Sequence, residues 1–132
     1  MINNDKLLQQ FMQAGIDKLA IEDLLSDSFI IIDDLYKLYI DKSVSKRPGP
    51  KTLFSDSEVL AISWVGEIFG IDSENAWYNF VVKHFLYLFP YIPERSRFNR
   101  RRRNLWKVTD MLRQKILENL PYGDILIIME TS

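Results

Sequence analysis

Apolar side chains recur every three or four residues along most of the chain, which is the spacing of amphipathic α-helices. A short helix is predicted over residues 4–13, and Gly15 is expected to end it. A longer helix is predicted from about residue 17 to residue 41, with a break expected near residues 26–28. Its acidic residues lie mostly opposite the apolar stripe. This indicates a solvated helix packed on the core or, as an alternative, a docking surface for a basic partner.

The middle of the chain predicts two helices joined by a tight turn. Ser55 and Glu58 have the spacing of a capping box, in which each side chain bonds to the backbone N–H of the other residue. This helix is expected to end at Gly70. Asp72 or Ser73 is expected to cap the next helix, which ends before a pair of prolines.

This pair of helices predicts a helix-turn-helix-like unit, which we interpret as core scaffold, although spacing alone also permits a major-groove reader. The second helix is rich in aromatic residues and offers Lys83 and His84 as its only candidate cations. His84 is the single histidine of the chain. We expect it to pack at an interface, because no cysteine or second histidine accompanies it as a metal ligand.

One further helix is predicted from residue 96 or 97 to residue 119. Its buried stripe is predicted to contain Phe98, Leu105, Val108, Met111, Leu112 and Ile116. Trp106 is expected to be a core anchor, with a base-stacking platform as the alternative. After a turn, the continuous apolar run at residues 125–129 predicts a strand buried on both faces.

These elements predict a mainly α fold: a bundle of about five helices with the helix-turn-helix-like pair and one short C-terminal β-strand. The predicted organisation has four parts. They are acidic helices over residues 1–41, a basic linker over 42–52, a helical DNA-binding region over 53–120, and the first strand of a further core over 121–132. With 132 residues and 47% hydrophobic side chains, the chain can bury one proper core.

The formal net charge of −1 conceals an uneven distribution along the chain. Residues 1–41 carry eight acids and three bases, whereas residues 93–115 hold nine of the 17 Lys and Arg residues beside two acids. A phosphate backbone responds to such a local positive field more than to the net charge.

Six arginines lie within residues 95–103, RSRFNRRRR, and Lys107 follows. Arginine is a good helix former, but adjacent guanidinium groups repel one another unless a partner neutralises them. Guanidinium groups match phosphate geometry bidentately. The predicted DNA contacts are therefore Arg95, Arg97, Arg100, Arg101, Arg102, Arg103 and Lys107. The alternatives are pairing with the acidic N-terminal helix and a merely solvated face.

Residues 42–51 contain two prolines, one glycine, two serines and four bases, which predicts an extended linker. A basic segment of this kind can also lie in a narrow minor groove. Lys46, Arg47 and Lys51 are therefore added to the predicted DNA contacts.

The absence of cysteine excludes disulfides, thiolate metal sites and a cysteine nucleophile. No signal-peptide pattern follows Met1, and no apolar run approaches the roughly 20 residues that a membrane span requires. We expect a soluble cytoplasmic protein that does not contact a membrane and has no metal site of its own.

Four segments together carry a resemblance to a known family: LFSDSEV at 53–59, GEIFGID at 66–72, LFP at 88–90 and PERSRFNRRRRNLW at 93–106. They resemble the N-terminal part of bacterial insertion-sequence transposases of the DDE type, and the resemblance covers essentially the whole chain. In that family, a helical N-terminal region precedes an RNase H-like core in which three carboxylates hold two divalent metals. The resemblance implies DNA as the partner and DNA transposition as the process.

The resemblance also implies that this chain carries at most the first catalytic ligand. Glu130 stands where the family has its first catalytic Asp, and a shift of one residue would place Met129 there. Two metals need several converging carboxylates. The expectation is therefore a transposase-derived fragment that is not an enzyme and needs no cofactor, with Mg²⁺ expected only in a full-length member of the family.

The sequence predicts one function and one alternative. The first is a DNA-binding fragment that contacts transposon-end DNA through a basic helix, without strand-transfer activity of its own. The alternative is a protein-interaction module that forms a homodimer or associates with full-length transposase, through the unpaired edges of the predicted strand at 125–129.

Overall fold

The structure, a computed structural model, describes residues 6–40 and 53–119 of the chain. Six α-helices follow one another in this part: α1 (Lys6–Gln13), α2 (Lys18–Leu35), α3 (Asp56–Ile68), α4 (Glu74–Phe85), α5 (Arg95–Asn104) and α6 (Trp106–Asn119). One π-helical turn, Tyr36–Ile40, extends α2. The predicted mainly helical fold is confirmed, and the described residues contain no strand. The predicted linker at 42–52 and strand at 125–129 lie outside them.

Side-chain caps fix where three of the helices begin. The predicted capping box is present, because the Glu58 N–H donates to Ser55 Oγ at 3.2 Å and the Ser55 N–H donates to Glu58 Oε1 at 2.9 Å. Ser73 caps α4 by accepting the Ala76 N–H, which decides between the two predicted caps. Asp17 caps α2 in the same way.

Glycine ends two of the helices. Gly15 follows α1 with a φ of 82°, and Gly70 follows α3 with a φ of 68°. This left-handed conformation carries little steric cost for glycine alone. Both predicted helix ends are confirmed.

The predicted break near residues 26–28 is wrong, because α2 runs through this segment without interruption. Ser28 is buried, and it continues the core-facing stripe of Ile21, Leu25 and Ile32 at spacings of three and four. Tertiary burial of this stripe therefore outweighs the weak helix propensity of serine.

Helix α3 lies at the centre of the fold and makes its most extensive contact with α2. Five of its apolar residues are buried: Val59, Leu60, Ala61, Ile62 and Val65. Helix α5 packs on another side of α3, and α6 packs on α2. The fold thus surrounds one helix with several others, and α5 is held on this central element.

Aromatic rings from several helices close the core around α3 and α4. Phe11 of α1 lies 4.7 Å from Phe69 and 5.4 Å from Phe80, measured between ring centroids. Trp77 stacks on Phe80 at 5.6 Å. Burial of Trp77, Phe80, Val81 and Phe85 agrees with the interpretation of α4 as scaffold.

The predicted last helix is two helices, because α5 ends at Asn104 and α6 begins at Trp106. Leu105 has φ −93° and ψ 15°, and its N–H is shared between the carbonyls of Arg101 and Arg102. The last turn of α5 is thus tightened at a single residue. Such a short interruption leaves the apolar spacing nearly helical, so the pattern along the chain did not reveal it.

Most of the predicted stripe is buried: Phe98, Leu105 and Leu112 are buried, and Val108 and Ile116 are partly buried. The predictions for Trp106 and Met111 are wrong, since these side chains are 63% and 41% exposed. Trp106 follows Leu105 by one residue, which places it about 100° away around a helix from a side chain that points into the core.

Gly66 allows α4 to approach the backbone of α3 closely. A Cβ at this position would lie 2.7 Å from Trp77 Cδ1 and 2.8 Å from Trp77 Nε1. The same indole N–H donates to the carbonyl of Ile62 at 2.8 Å, so the ring is fixed against the helix. The buried ring has little freedom to move away from an added methyl group.

We expect Gly66→Ala to lower the free energy of unfolding by about 1–3 kcal/mol, the usual cost of overpacking, even though alanine is the better helix former. Urea unfolding followed by circular dichroism measures this. In a Trp77→Phe background the smaller ring should reduce the penalty. An equal penalty in both backgrounds would show that the close approach is not its cause.

Candidate nucleic-acid interface

Helix α5 sorts its six arginines onto two sides. Arg101 and Arg102 turn toward the protein, and each forms an ion pair with a carboxylate of another helix. Four arginines are exposed: Arg95, Arg97, Arg100 and Arg103. Helical geometry explains this division, because residues three apart share a face whereas adjacent residues are about 100° apart.

Arg101 is bound at a junction of three helices. Its guanidinium donates to Asp56 Oδ1 at 2.8 Å, and the Tyr36 hydroxyl donates to Asp56 Oδ2 at 2.7 Å. The guanidinium carbon also lies 5.7 Å from the centroid of the Phe54 ring. The side chains of Arg101 and Asp56 are only 18% and 12% exposed, so water screens this pair poorly.

Arg102 forms an ion pair with Glu74. Glu74 is the first residue of α4, and Asp56, the partner of Arg101, is the first residue of α3. A carboxylate in the first turn of a helix is favoured by the positive end of the helix dipole. The two arginines therefore connect α5 to the beginnings of both α3 and α4. Arg113 of α6 adds a third connection, to Glu67 at 2.6 Å.

The exposed side of α5 carries Arg97, Arg100 and Arg103 at spacings of three, which we call the arginine stripe. Within residues 6–40 and 53–119, no carboxylate lies within ion-pair distance of these three guanidinium groups. Lys107 is exposed one turn beyond Arg103, and Arg95 is exposed in the first turn of α5. The charge of the stripe is thus not compensated by the part of the protein that the structure describes.

The approach of the chain to α5 is fixed by packing and by one hydrogen bond. The Tyr78 hydroxyl donates to the carbonyl of Pro93 at 2.5 Å, just before the helix begins. Burial, followed by the negative charge of Glu94, raises the pKa of Tyr78 above the ordinary tyrosine value, so the hydroxyl keeps the proton that it donates. Phe98 packs between Tyr78 and Phe54, at centroid distances of 5.6 and 6.2 Å.

Beyond the arginine stripe, Trp106 borders a cleft of about 490 Å³ between α3 and α6. We call it the Trp106 cleft; among its lining residues are Ser63, Trp64, Arg103, Trp106, Thr109 and Arg113. The Lys107 ammonium lies 5.6 Å from the centroid of the Trp106 ring. The last arginine of the stripe and an exposed aromatic ring therefore meet at one opening.

The remaining predicted site residues separate into two groups. Lys46, Arg47, Lys51 and Glu130 lie outside the described residues. His84 is half-buried, and its ring lies 4.7 Å from that of Phe80 one turn earlier on the same helix, so its expected packing at an interface stays a prediction. No three potential metal ligands come together among the residues that the structure describes.

Sequence reasoning missed the partners of the inward arginines. Asp56 and Glu74 follow the caps of α3 and α4 directly, and there they have the ordinary role of acids in a first helical turn. Their second role, as acceptors for Arg101 and Arg102, has no local signal. Among the described residues, the predicted acidic N-terminal segment contributes Tyr36 to the same junction.

Comparisons with known families, proteins and structures found no relative of this chain. No family model matches the chain, and neither a curated protein nor a solved structure is significantly similar to it. Among the described helices, none is both long enough and apolar enough to cross a membrane.

We expect Arg101→Ala to lower the free energy of unfolding by about 2–3 kcal/mol, because it removes one half of an ion pair whose two side chains are only 18% and 12% exposed. Denaturant unfolding measures the change. Arg100→Ala is the matched control, since it removes the same charge one residue earlier on the exposed side, and it should cost less than about 0.5 kcal/mol. Equal effects of the two substitutions would contradict the anchoring role of Arg101.

Proposed function

We propose that this chain binds DNA through the arginine stripe of α5, as the helical DNA-contacting region of a DDE-type transposase. One observation carries the proposal: three exposed arginines without a described carboxylate partner share one face of a helix whose opposite side is tied to the core. Unpaired clustered guanidinium groups repel one another. A polyanion removes that cost and gains bidentate hydrogen bonds.

The dimensions of the stripe suit a duplex. From Arg97 to Arg103 the helical rise amounts to about 9 Å. Over that distance, B-DNA carries roughly five phosphate charges on its two strands. Arginine and lysine side chains are long, so three or four of these phosphates lie within reach of the stripe and Lys107. Contacts of this kind hold and orient the protein without reading sequence.

The proposed contact set is smaller than the set that the sequence predicts. Arg101 and Arg102 already bind Asp56 and Glu74, and moving them to phosphate would break both ion pairs. They are therefore proposed to hold α5 in position, while Arg95, Arg97, Arg100, Arg103 and Lys107 contact phosphate. Lys46, Arg47 and Lys51 remain predicted contacts of a basic arm.

The transposase assignment rests on the resemblance of segments within residues 53–106 to that family. The most distinctive of these segments is the arginine-rich one at 93–106, and phosphate binding by the stripe gives its exposed arginines a physical purpose. We assign no catalytic role to the described residues. The proposed role is to bind the ends of the genetic element that encodes the chain, with strand transfer left to an RNase H-like core.

Fluorescence anisotropy with a labelled duplex tests the proposal. The five proposed phosphate contacts of α5 and Lys107 predict that log Kobs falls with log salt concentration with a slope of about −4 to −5. Arg97→Gln with Arg100→Gln should reduce the magnitude of the slope by about 2 and weaken binding to all sequences alike. The control pair, Lys6→Gln with Lys18→Gln, removes the same charge from exposed positions on α1 and α2 and should bind like the unchanged protein.

The outcomes separate the parts of this proposal. Absence of salt-dependent binding would overturn DNA contact altogether, and equal losses in both variant pairs would show that the stripe is not the contact. A changed sequence preference in the stripe variant would indicate base readout in place of phosphate contact. Equal affinity for the ends of the element and for an unrelated duplex of the same length would contradict the transposase role.

A second candidate function, association with another protein, is favoured by the outward face of α2. Ile30, Ile31 and Leu38 are 56%, 54% and 52% exposed on this side. Asp27 and Asp34 are exposed among them. A helix that is apolar on both sides is usually covered on both, so this acidic and aliphatic face suits a basic, partly apolar partner.

Size-exclusion chromatography with light scattering tests association between copies of the chain. If α2 forms the contact, Ile31→Glu should convert a dimer to a monomer, because the added charge would be buried at the interface. Arg100→Glu, with a charge change on α5, serves as the control and should leave the dimer intact. A strict monomer over the accessible concentration range would exclude self-association.

A further inference from the structure

We infer that Trp106 stacks on an unpaired nucleobase, so that the ligand of this chain is DNA with at least one unstacked base beside the duplex. The inference rests on the proposed phosphate contacts of the arginine stripe and extends them to a base-binding position. It concerns the form of DNA that is bound, which phosphate contacts alone do not specify.

The first observation is the position of Trp106 itself. Its side chain is 63% exposed, although it lies in a helix whose preceding residue, Leu105, is 2% exposed. The ring stands at the first position of α6, just after the one-residue interruption that ends α5. Exposed apolar residues are common when they are scattered singly, so exposure alone would indicate nothing.

The second observation is what surrounds the ring. Arg103 lines the same cleft, and the Lys107 ammonium lies 5.6 Å from the ring centroid. Two acids also line the cleft: Glu67 is paired with Arg113, and Asp110 is exposed. Two cations near an exposed aromatic ring favour a ligand that combines a flat π system with negative charge. A nucleotide has both, and single-stranded nucleic acids are bound by proteins through this combination of stacking and basic side chains.

The direction of the arginine stripe supports the same ligand. Arg97, Arg100 and Arg103 follow one face of α5 toward the Trp106 cleft, so a strand that lies along them reaches Trp106 next. A phosphate held by Arg103 would place the attached nucleotide near the ring. Paired bases stay stacked inside the duplex, and only an unpaired or extruded base can present its face to Trp106.

The cleft has room and polar groups for such a base. Its volume of about 490 Å³ falls within the usual range of small-molecule sites. Two hydroxyls lie in its lining: Ser63 Oγ donates to the carbonyl of Val59, and Thr109 Oγ1 donates to that of Leu105. Both oxygens therefore retain acceptor capacity toward a base. Stacking tolerates every base, so strong base specificity is not expected.

Three fluorescently labelled DNAs test the inference: a blunt duplex, the same duplex with a four-nucleotide thymine tail, and the same duplex with a four-residue abasic tail. The two tailed DNAs carry equal numbers of phosphates and differ only in bases. We expect the thymine tail to bind about 5- to 150-fold more tightly than the abasic tail, which is the range of base–aromatic stacking.

Trp106→Ala should bring the ratio of thymine-tail to abasic-tail affinity to about 1, whatever its effect on the blunt duplex. Trp106→Phe should retain much of the difference, because it keeps a stacking ring. Tryptophan fluorescence gives an independent readout. The thymine tail should quench emission in the unchanged protein more than in Trp106→Phe, in which the buried Trp77 and partly buried Trp64 remain.

Failure of this inference is distinguishable from failure of the proposed function. Equal affinity for the thymine and abasic tails, with normal binding of the blunt duplex, would overturn base stacking and leave phosphate contact standing. Absence of binding to all three DNAs would overturn both. A Trp106→Ala variant that dissociates an oligomer would place Trp106 in a protein interface and would also overturn the inference.

Discussion

The carboxylate of Asp56 joins three helices and sets the orientation of the helix that carries the arginines. It stands in the first turn of α3 and accepts hydrogen bonds from Tyr36 at the end of α2 and from Arg101 on α5. With Arg101 fixed at this point, the rotation of α5 about its own axis is determined. Arg100 lies about 100° from Arg101 around the helix, on the side away from the inward Arg102, and it faces outward.

This orientation resolves a problem that four adjacent arginines create. Their mutual repulsion is reduced because Arg101 and Arg102 are neutralised by acids of α3 and α4, while their neighbours project into water. The inward pairs contribute to the fold, and the outward charges remain available to a ligand. One short segment can thus anchor a helix and present an electropositive surface, since adjacent residues of a helix point in different directions.

The interruption at Leu105 has a comparable consequence for the aromatic residues. Leu105 stays in the core, and the next residue, Trp106, emerges beside the cleft between α3 and α6. The arginine stripe and the exposed ring are therefore contiguous, and the proposals of phosphate contact and base stacking concern one surface. The acidic and aliphatic face of α2 is a different surface, directed away from its own contact with α3.

Local chemistry made most of the helices predictable from the sequence. Periodic apolar residues, the capping box of Ser55 and Glu58, and the glycines at 15 and 70 act over a few residues, and each had the predicted effect. Two of the wrong predictions, a break near residues 26–28 and one unbroken last helix, concern positions where packing outweighs or interrupts a regular pattern. The strand at 125–129 and the linker at 42–52 lie outside the described residues and stay predictions.

The sequence by itself determined that the chain is mainly helical and that nine of its 17 Lys and Arg residues are concentrated in residues 93–115. Only the tertiary structure decided which arginines are anchored and which are exposed. Arg101 meets an acid 45 residues away along the chain, and no spacing rule connects the two. The exposure of Trp106 was decided in the same way, because its burial depends on how α6 leaves Leu105 and approaches α3. Local periodicity specifies a face of a helix, but the neighbouring helices specify what that face meets.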